Sequence, residues 1–197
     1  MRMLALFAAA VVTLAAPARA VTITYSATLA PEVVGATGSG SATVVYDTVL
    51  NSLSVSATWT GLSSPTTVAH IHCCVAVAGT GTVGVAVTPA TLPGFPVGLT
   101  GGTYTTVPVL DLTLASTYTG TFVTASGGTL AGAQAAIIAG MTGGTAYFNI
   151  HSTAFPSGEI RGFLSPVPEP GLGLLLLSAA ALLPLARRRR RTEARVQ

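Results

Sequence analysis

The chain has 197 residues, of which 50% are hydrophobic and only 8% charged, with 22 glycines and not one lysine; the length suits one ordinary domain with appendages. Its net charge of +3 comes from the ends: Arg187 to Arg191 and Arg195 lie at the C-terminus, while residues 21–165 hold Arg161 alone against Glu32, Asp47, Asp111 and Glu159, a balance of −3. No nucleic acid is expected as a partner, because this middle part lacks the basic stripe and interleaved aromatics that neutralise phosphates and stack on bases.

In chain order, Arg2 precedes an apolar run over residues 4–16 and then Pro17-Ala18-Arg19-Ala20. A charged start, an apolar stretch of secretory length and an Ala-x-Ala site predict a signal peptide over residues 1–20, removed by signal peptidase between Ala20 and Val21. The competing reading, a retained membrane helix, is disfavoured by the shortness of the run and the small residues that follow it.

From Val21 the pattern alternates. Val21, Ile23, Tyr25, Ala27 and Leu29 share one face of a strand, with Thr22, Thr24, Ser26 and Thr28 on the other. A second strand carries Ala42, Val44 and Tyr46, and a third Leu53, Val55, Ala57 and Trp59. Further strands are predicted over residues 67–75, 82–87, 118–124, 146–151 and 159–164, separated by glycine and proline clusters. Many short strands at this spacing predict an all-β domain over residues 21–165, an antiparallel β-sandwich or barrel. One short helix is predicted near residues 129–141, where Leu130, Ala133, Ile137 and Met141 recur three or four apart behind Thr129 as a cap.

The strand over residues 67–75 contains Ala69-His70-Ile71-His72-Cys73-Cys74. Period-two geometry puts His70, His72 and Cys74 on one face and Ile71 and Cys73 on the other. His151 falls on the polar side of the strand over residues 146–151, so the three histidines meet if the two strands are neighbours. Imidazoles with an optional thiolate suit copper or zinc, which makes His70, His72, His151 and Cys74 candidate metal ligands; the competing reading has the histidines bonded to backbone and hydroxyls at the strand ends. Adjacent cysteines have Cα atoms about 3.8 Å apart, below the usual disulfide range. A bridge between Cys73 and Cys74, a free thiol pair, a link to another chain and Cys74 as a ligand therefore all stay open.

Glu159 and Arg161 lie on one strand face, behind the turn at Pro156-Ser157-Gly158, and are expected to form a structural ion pair. The sequence shows no paired carboxylates, no Gly-x-Ser-x-Gly and no phosphate loop, so no catalytic residue is assigned and an enzyme is not expected.

A linker over residues 166–170 contains Pro168-Glu169-Pro170. An uncharged apolar run over residues 171–186 follows, and a basic tail over residues 187–197 ends the chain. Sixteen helical residues cover about 24 Å, slightly short of a hydrocarbon core of about 30 Å, so a transmembrane helix is expected to span marginally, its arginines cytoplasmic and the domain outside. Pro-Glu-Pro, a short apolar helix and an arginine cluster resemble the PEP-CTERM sorting signal of Gram-negative bacteria. The resemblance implies an exosortase-type enzyme as partner, inner-membrane anchoring before cleavage near Pro168-Glu169-Pro170, and delivery to the cell surface or an extracellular polymer.

Gly38-Ser39-Gly40, Leu53, Gly61-Leu62, Ala69-His70-Ile71-His72, Gly84-Val85, Ala146-Tyr147-Phe148-Asn149-Ile150-His151 and Pro156-Ser157-Gly158-Glu159-Ile160-Arg161-Gly162 together resemble the CHRD domain, named for its repeats in the animal protein chordin. The resemblance covers residues 21–164 and implies an extracellular all-β module. His-x-His with a late histidine is also similar to copper-zinc superoxide dismutase, another β-sandwich in an immunoglobulin-like style, but three histidines are too few for that bimetallic centre. The leading expectation is an exported, non-enzymatic binding or structural module; the second is a copper or zinc protein using His70, His72 and His151.

Overall fold

A computed structural model describes residues 21–168. Ten strands and two helices follow one another as β1 (Thr22–Pro31), β2 (Ser39–Asp47), β3 (Ser52–Thr60), β4 (Thr66–His72), β5 (Val85–Val87), β6 (Gly102–Thr105), β7 (Leu110–Asp111), α1 (Gly120–Ala125), α2 (Leu130–Thr142), β8 (Tyr147–Ser152), β9 (Ile160–Phe163) and β10 (Ser165–Pro166), with a 3-10 turn at Ala115–Thr117. All strand pairs are antiparallel, in the order β5-β4-β8-β9-β1-β2-β3-β6, with β10 beside β1 and β7 beside β3.

β1 belongs to two sheets. From Thr22 to Leu29 it pairs with β2, and at Ala30 and Pro31 it pairs with β9. The sheet β1-β2-β3-β6 thus folds over onto β5-β4-β8-β9, as a half-barrel or sandwich. Alternation supplies the core: Tyr25, Leu29, Val44, Leu53 and Val55 from the first sheet meet Ile71, Phe148, Ile150 and Ile160 from the second, all at most 1% exposed. Burying a side chain of this kind contributes roughly 1.5–3 kcal/mol.

The first sheet keeps a wet outer face of serine and threonine, as the period of two requires. The second does not. Every residue of β8 is buried, so both its faces are covered: one by the core, the other by loops whose carbonyls reach the outer side chains.

The expected helix forms as α2, with Thr129 Oγ1 accepting from Gly132 N at 3.0 Å and Ala133, Ile137 and Met141 buried. The expected strand over residues 118–124 is instead α1. Thr119 Oγ1 accepts from Phe122 N and Thr124 Oγ1 donates to the Gly120 carbonyl, so local side-chain bonds divert a β-branched stretch into one helical turn and a half. Phe122 is buried four residues after Tyr118, its ring 6.1 Å from that of Tyr118. β6, β7 and β10 are two to four residues long and lie below the length at which alternation is readable. The expected transmembrane helix and basic tail lie outside the described residues, as do Ala20, Glu169 and Pro170; among the described residues no helix is long and apolar enough to cross a membrane.

Cys73 and Cys74 are joined as a disulfide packed on α2, and both Sγ atoms lie near the Ala136 carbonyl. A Cβ placed on Gly140 would fall inside van der Waals contact of both sulfurs. Gly140→Ala is therefore expected to lower stability by about 1–3 kcal/mol, from overpacking that outweighs its better helix propensity; a urea titration with unchanged slope measures it.

Candidate metal centre

β4 and β8 are neighbours, with His70 opposite Asn149 and His72 opposite Tyr147. Side chains at opposed positions share a face, so His70, His72, Tyr147, Asn149 and His151 all stand on the outer face of the second sheet, away from the core. His151 is the diagonal neighbour of His70, a separation that rings can bridge. His70 Nδ1 and His151 Nε2 lie 3.3 Å apart, and one nitrogen from each of the three rings falls within 4.8 Å of the others. The three rings are 6–7% exposed.

Each ring is fixed by a backbone carbonyl behind it. His70 Nε2 meets Ala90 O at 2.9 Å, His72 Nδ1 meets Val83 O at 2.8 Å, and His151 Nδ1 meets Pro156 O at 2.8 Å. A carbonyl only accepts, so we assign a proton to each of these nitrogens. In neutral imidazole the other nitrogen then carries a lone pair: His70 Nδ1, His72 Nε2 and His151 Nε2. His72 Nε2 is buried without a hydrogen-bond partner. The pair between His70 and His151 has two acceptors and no donor. An ion bound tetrahedrally at about 2.0–2.1 Å places its nitrogen ligands about 3.4 Å apart, close to the separation of that pair.

Burial favours the lone-pair form. Desolvation lowers the His72 pKa to about 4, opposed by its bond to the Val83 carbonyl and assisted by repulsion from His151, His70 and Arg161. His70 is lowered in the same way: burial acts first, the Ala90 carbonyl opposes it, and His151 adds repulsion. The ring of His72 also stacks on Tyr147 at 4.7 Å and 7°.

Cys74 is not on this face. β4 ends at His72, so the alternation that placed Cys74 beside the histidines stops before reaching it. Its sulfur is bonded to Cys73 and lies against α2, so of the open options for this pair the structure has the bridge and not Cys74 as a ligand.

The expected Glu159–Arg161 pair is also replaced. Arg161 Nη1 lies 3.2 Å from Glu32 Oε1 and donates to Gly81 O at 2.7 Å, with the guanidinium 5.0 Å from the Tyr147 ring centroid. Glu32 Oε2 accepts from the Asn149 amide. Glu159 precedes β9, after Gly158 at φ +132°, so same-face geometry does not extend to it. Its Oε1 accepts from Ser63 N and Ser63 Oγ, both at 2.6 Å. Burial pushes its carboxyl up, but bonds from Ser152, Ser63 and Thr37 outweigh this and hold it below the usual range.

Glu32 and the carbonyls of Val83, Ala90 and Pro156 are the participants that sequence reasoning missed. A carbonyl has no side-chain signature. Glu32, next to Pro31 at the end of β1, carried only its lone charge as a signal.

The family model for the CHRD domain matches residues 21–164. The chain belongs to the CHRD domain family. Comparison with curated proteins finds no match, nor does comparison with solved structures. Membership in this family suggests an extracellular module and so an exported protein. The histidine face of this CHRD domain is built from Ala69-His70-Ile71-His72 and Tyr147-Phe148-Asn149-Ile150-His151, segments that pair as β4 and β8.

The lowered histidine pKa values give a sign for the metal-free domain. Between the folded value of about 4 for His72 and the ordinary 6.5, the unfolded chain binds more protons than the folded one, so stability falls as pH drops through that window. Full stability from these groups is present above 6.5. The slope is at most about 1.4 kcal/mol per pH unit for each histidine, and His72→Phe is expected to flatten it in urea unfolding between pH 6.5 and 4.5 with chelator present.

Proposed function

We propose that this protein is an exported CHRD module whose binding function is coordination of one first-row transition ion, copper or zinc, by His70, His72 and His151. The observation that carries this reading is the gathering of one nitrogen from each of three imidazoles within 4.8 Å, on rings each held by a backbone carbonyl. Metal-ligating histidines commonly use their second nitrogen in this way, which fixes the tautomer and the ring direction. A buried polar atom without a partner costs about 1–3 kcal/mol, and an ion supplies a partner for His72 Nε2 and separates the two facing lone pairs of His70 and His151. Neutral imidazole is the ligand form, so burial that disfavours protonation favours loading at neutral pH. The ligand set is all nitrogen, which suits zinc or copper better than calcium or magnesium.

The module acts by binding. Near the rings, Glu32 is engaged by Arg161 and Asn149 and Glu159 by Ser63, so neither carboxylate is set to move a proton for a substrate.

Delivery follows from the ends of the chain. Signal peptidase frees Val21, residues 171–186 hold the chain in the inner membrane, and an exosortase-type enzyme cuts near Pro168-Glu169-Pro170 to release the domain to the surface or an extracellular polymer. The order Pro-Glu-Pro, apolar run and five arginines supports this.

Two measurements test these readings. Protein purified without chelator and then offered Cu(II) or Zn(II) is expected to retain about one equivalent after desalting, while His70→Ala, His72→Ala and His151→Ala each lose most of it and lose the accompanying rise in melting temperature. Retention below about a tenth of an equivalent by folded wild-type protein overturns the metal reading. For delivery, replacing Pro168, Glu169 and Pro170 by alanine is expected to leave the domain in the inner-membrane fraction, and unchanged release overturns it.

A further inference from the structure

Both ends of the described chain leave the fold at one end of β1. Thr22 is opposite Asp47, Thr48 N donates to Val21 O, and Tyr25 is opposite Pro166; Val167 N then donates to Thr24 O at 2.8 Å. The chain is therefore hydrogen-bonded into the sheet up to Val167, and only Pro168, Glu169 and Pro170 separate it from the apolar run that starts at Gly171. The four Cα-to-Cα steps from Val167 to Gly171 reach at most about 14 Å. A domain on so short a tether cannot stand away from the surface that holds residues 171–186.

The end that must face that surface is apolar where turns are usually polar. The β2–β3 hairpin tip presents Val49 at 56% and Leu50 at 68% exposure, and Leu114, just beyond β7, adds 52%. Val21 and Val167, at 60% and 41%, lie beside the exit itself. Two carboxylates share this end, and both are engaged. Asp47 Oδ1 accepts from Val49 N and Leu50 N, each at 2.9 Å, and Asp111 Oδ1 accepts from Thr113 N and Thr113 Oγ1. The tip amides thus have partners inside the turn, which is what lets backbone approach lipid without losing hydrogen bonds. The opposite end of β1 also exposes aliphatic side chains, Val33 and Val34, but no chain leaves there.

We infer that, before processing, the domain docks end-on to the bilayer through the β2–β3 tip, with Val49, Leu50 and Leu114 at the boundary of headgroups and acyl chains. The inference rests on reading residues 171–186 as a membrane segment and adds the surface that meets the lipid.

The test uses the full chain reconstituted in vesicles of phosphatidylethanolamine and phosphatidylglycerol with brominated acyl chains. Cys73 and Cys74 are paired with each other, so Leu50→Cys and Val34→Cys each supply one free thiol for a polarity-sensitive fluorophore. The label at position 50 is expected to shift to the blue and lose about twofold or more of its intensity to the brominated lipid, whereas the label at position 34 stays as in water. Equal, water-like spectra at both positions in protein that floats with the vesicles overturn the docking pose and leave the anchor standing. Protein that does not float with vesicles overturns the anchor and the docking together.

Discussion

β1 is the constraint on which the rest of the molecule depends. Eight of its residues pair with β2, and then Ala30 and Pro31 pass to β9. That transfer turns an open antiparallel sheet into two faces closed over one core, and it fixes the order β9, β8, β4 behind it. The site inherits its geometry from this order. His70 and His72 come to lie beside β8 because β9 accepts the end of β1 and β8 pairs with β9. A slip of one residue between β4 and β8 would turn the histidines into the core and Ile71 onto the polar outer face. The cost of setting Ile71 among polar groups and two imidazoles among aliphatic ones holds the register, so the packing that stabilises the fold also aligns the three histidines.

The outer face of the second sheet is polar and yet buried, which is expensive unless its groups find partners. Backbone carbonyls do most of this. Val83, Ala90 and Pro156 each take one imidazole N–H, Gly81 takes an N–H of Arg161, and Glu32 neutralises that guanidinium. Carbonyl acceptors on the outside force acceptors on the inside, because a neutral imidazole has one N–H only. The loops that cover β8 thereby decide what the centre of the cluster can receive: a proton between His70 and His151, or an ion among all three. Lowered pKa values for His70 and His72 weigh against the proton at neutral pH, and the lone pair of His72 has no use for it.

Period-two alternation made most of this readable in the sequence. It identified β1, β2 and β3, put His70 and His72 on one side of Ile71, and put His151 on the polar side of β8; the three-four spacing with Thr129 identified α2. It failed where a regular element stops. β4 ends at His72, so Cys74 was assigned a face that no longer exists, and β9 begins at Ile160, so Glu159 was paired along a strand it does not belong to. Residues 118–124 misled for another reason: Thr119 and Thr124 bond their own backbone, an alternative that strand propensity does not count. The partner of Arg161 was out of reach of local reading altogether, since Glu32 stands 129 positions away in sequence and arrives only through the pairing of β1 with β9.

The histidine cluster and the point where the chain leaves the fold lie apart along β1, and this matters for the proposed delivery. Val21 and Val167 leave beside Thr22 and Thr24, whereas Ile150, next to His151, is level with Ile160 and so with Pro31 at the other end of the strand. Nine residues at about 3.3 Å each separate Thr22 from Pro31, close to 30 Å. Cutting the chain near Pro168 leaves all three histidines and the carbonyls behind them in the retained domain. β10 contributes only Ser165 and Pro166, paired to an edge already held by eight residue pairs with β2, so its loss leaves β1 and the register it sets in place. A module built this way can change its attachment without changing its site, because the strand that joins the two regions is held by β2 and β9 as well as by β10.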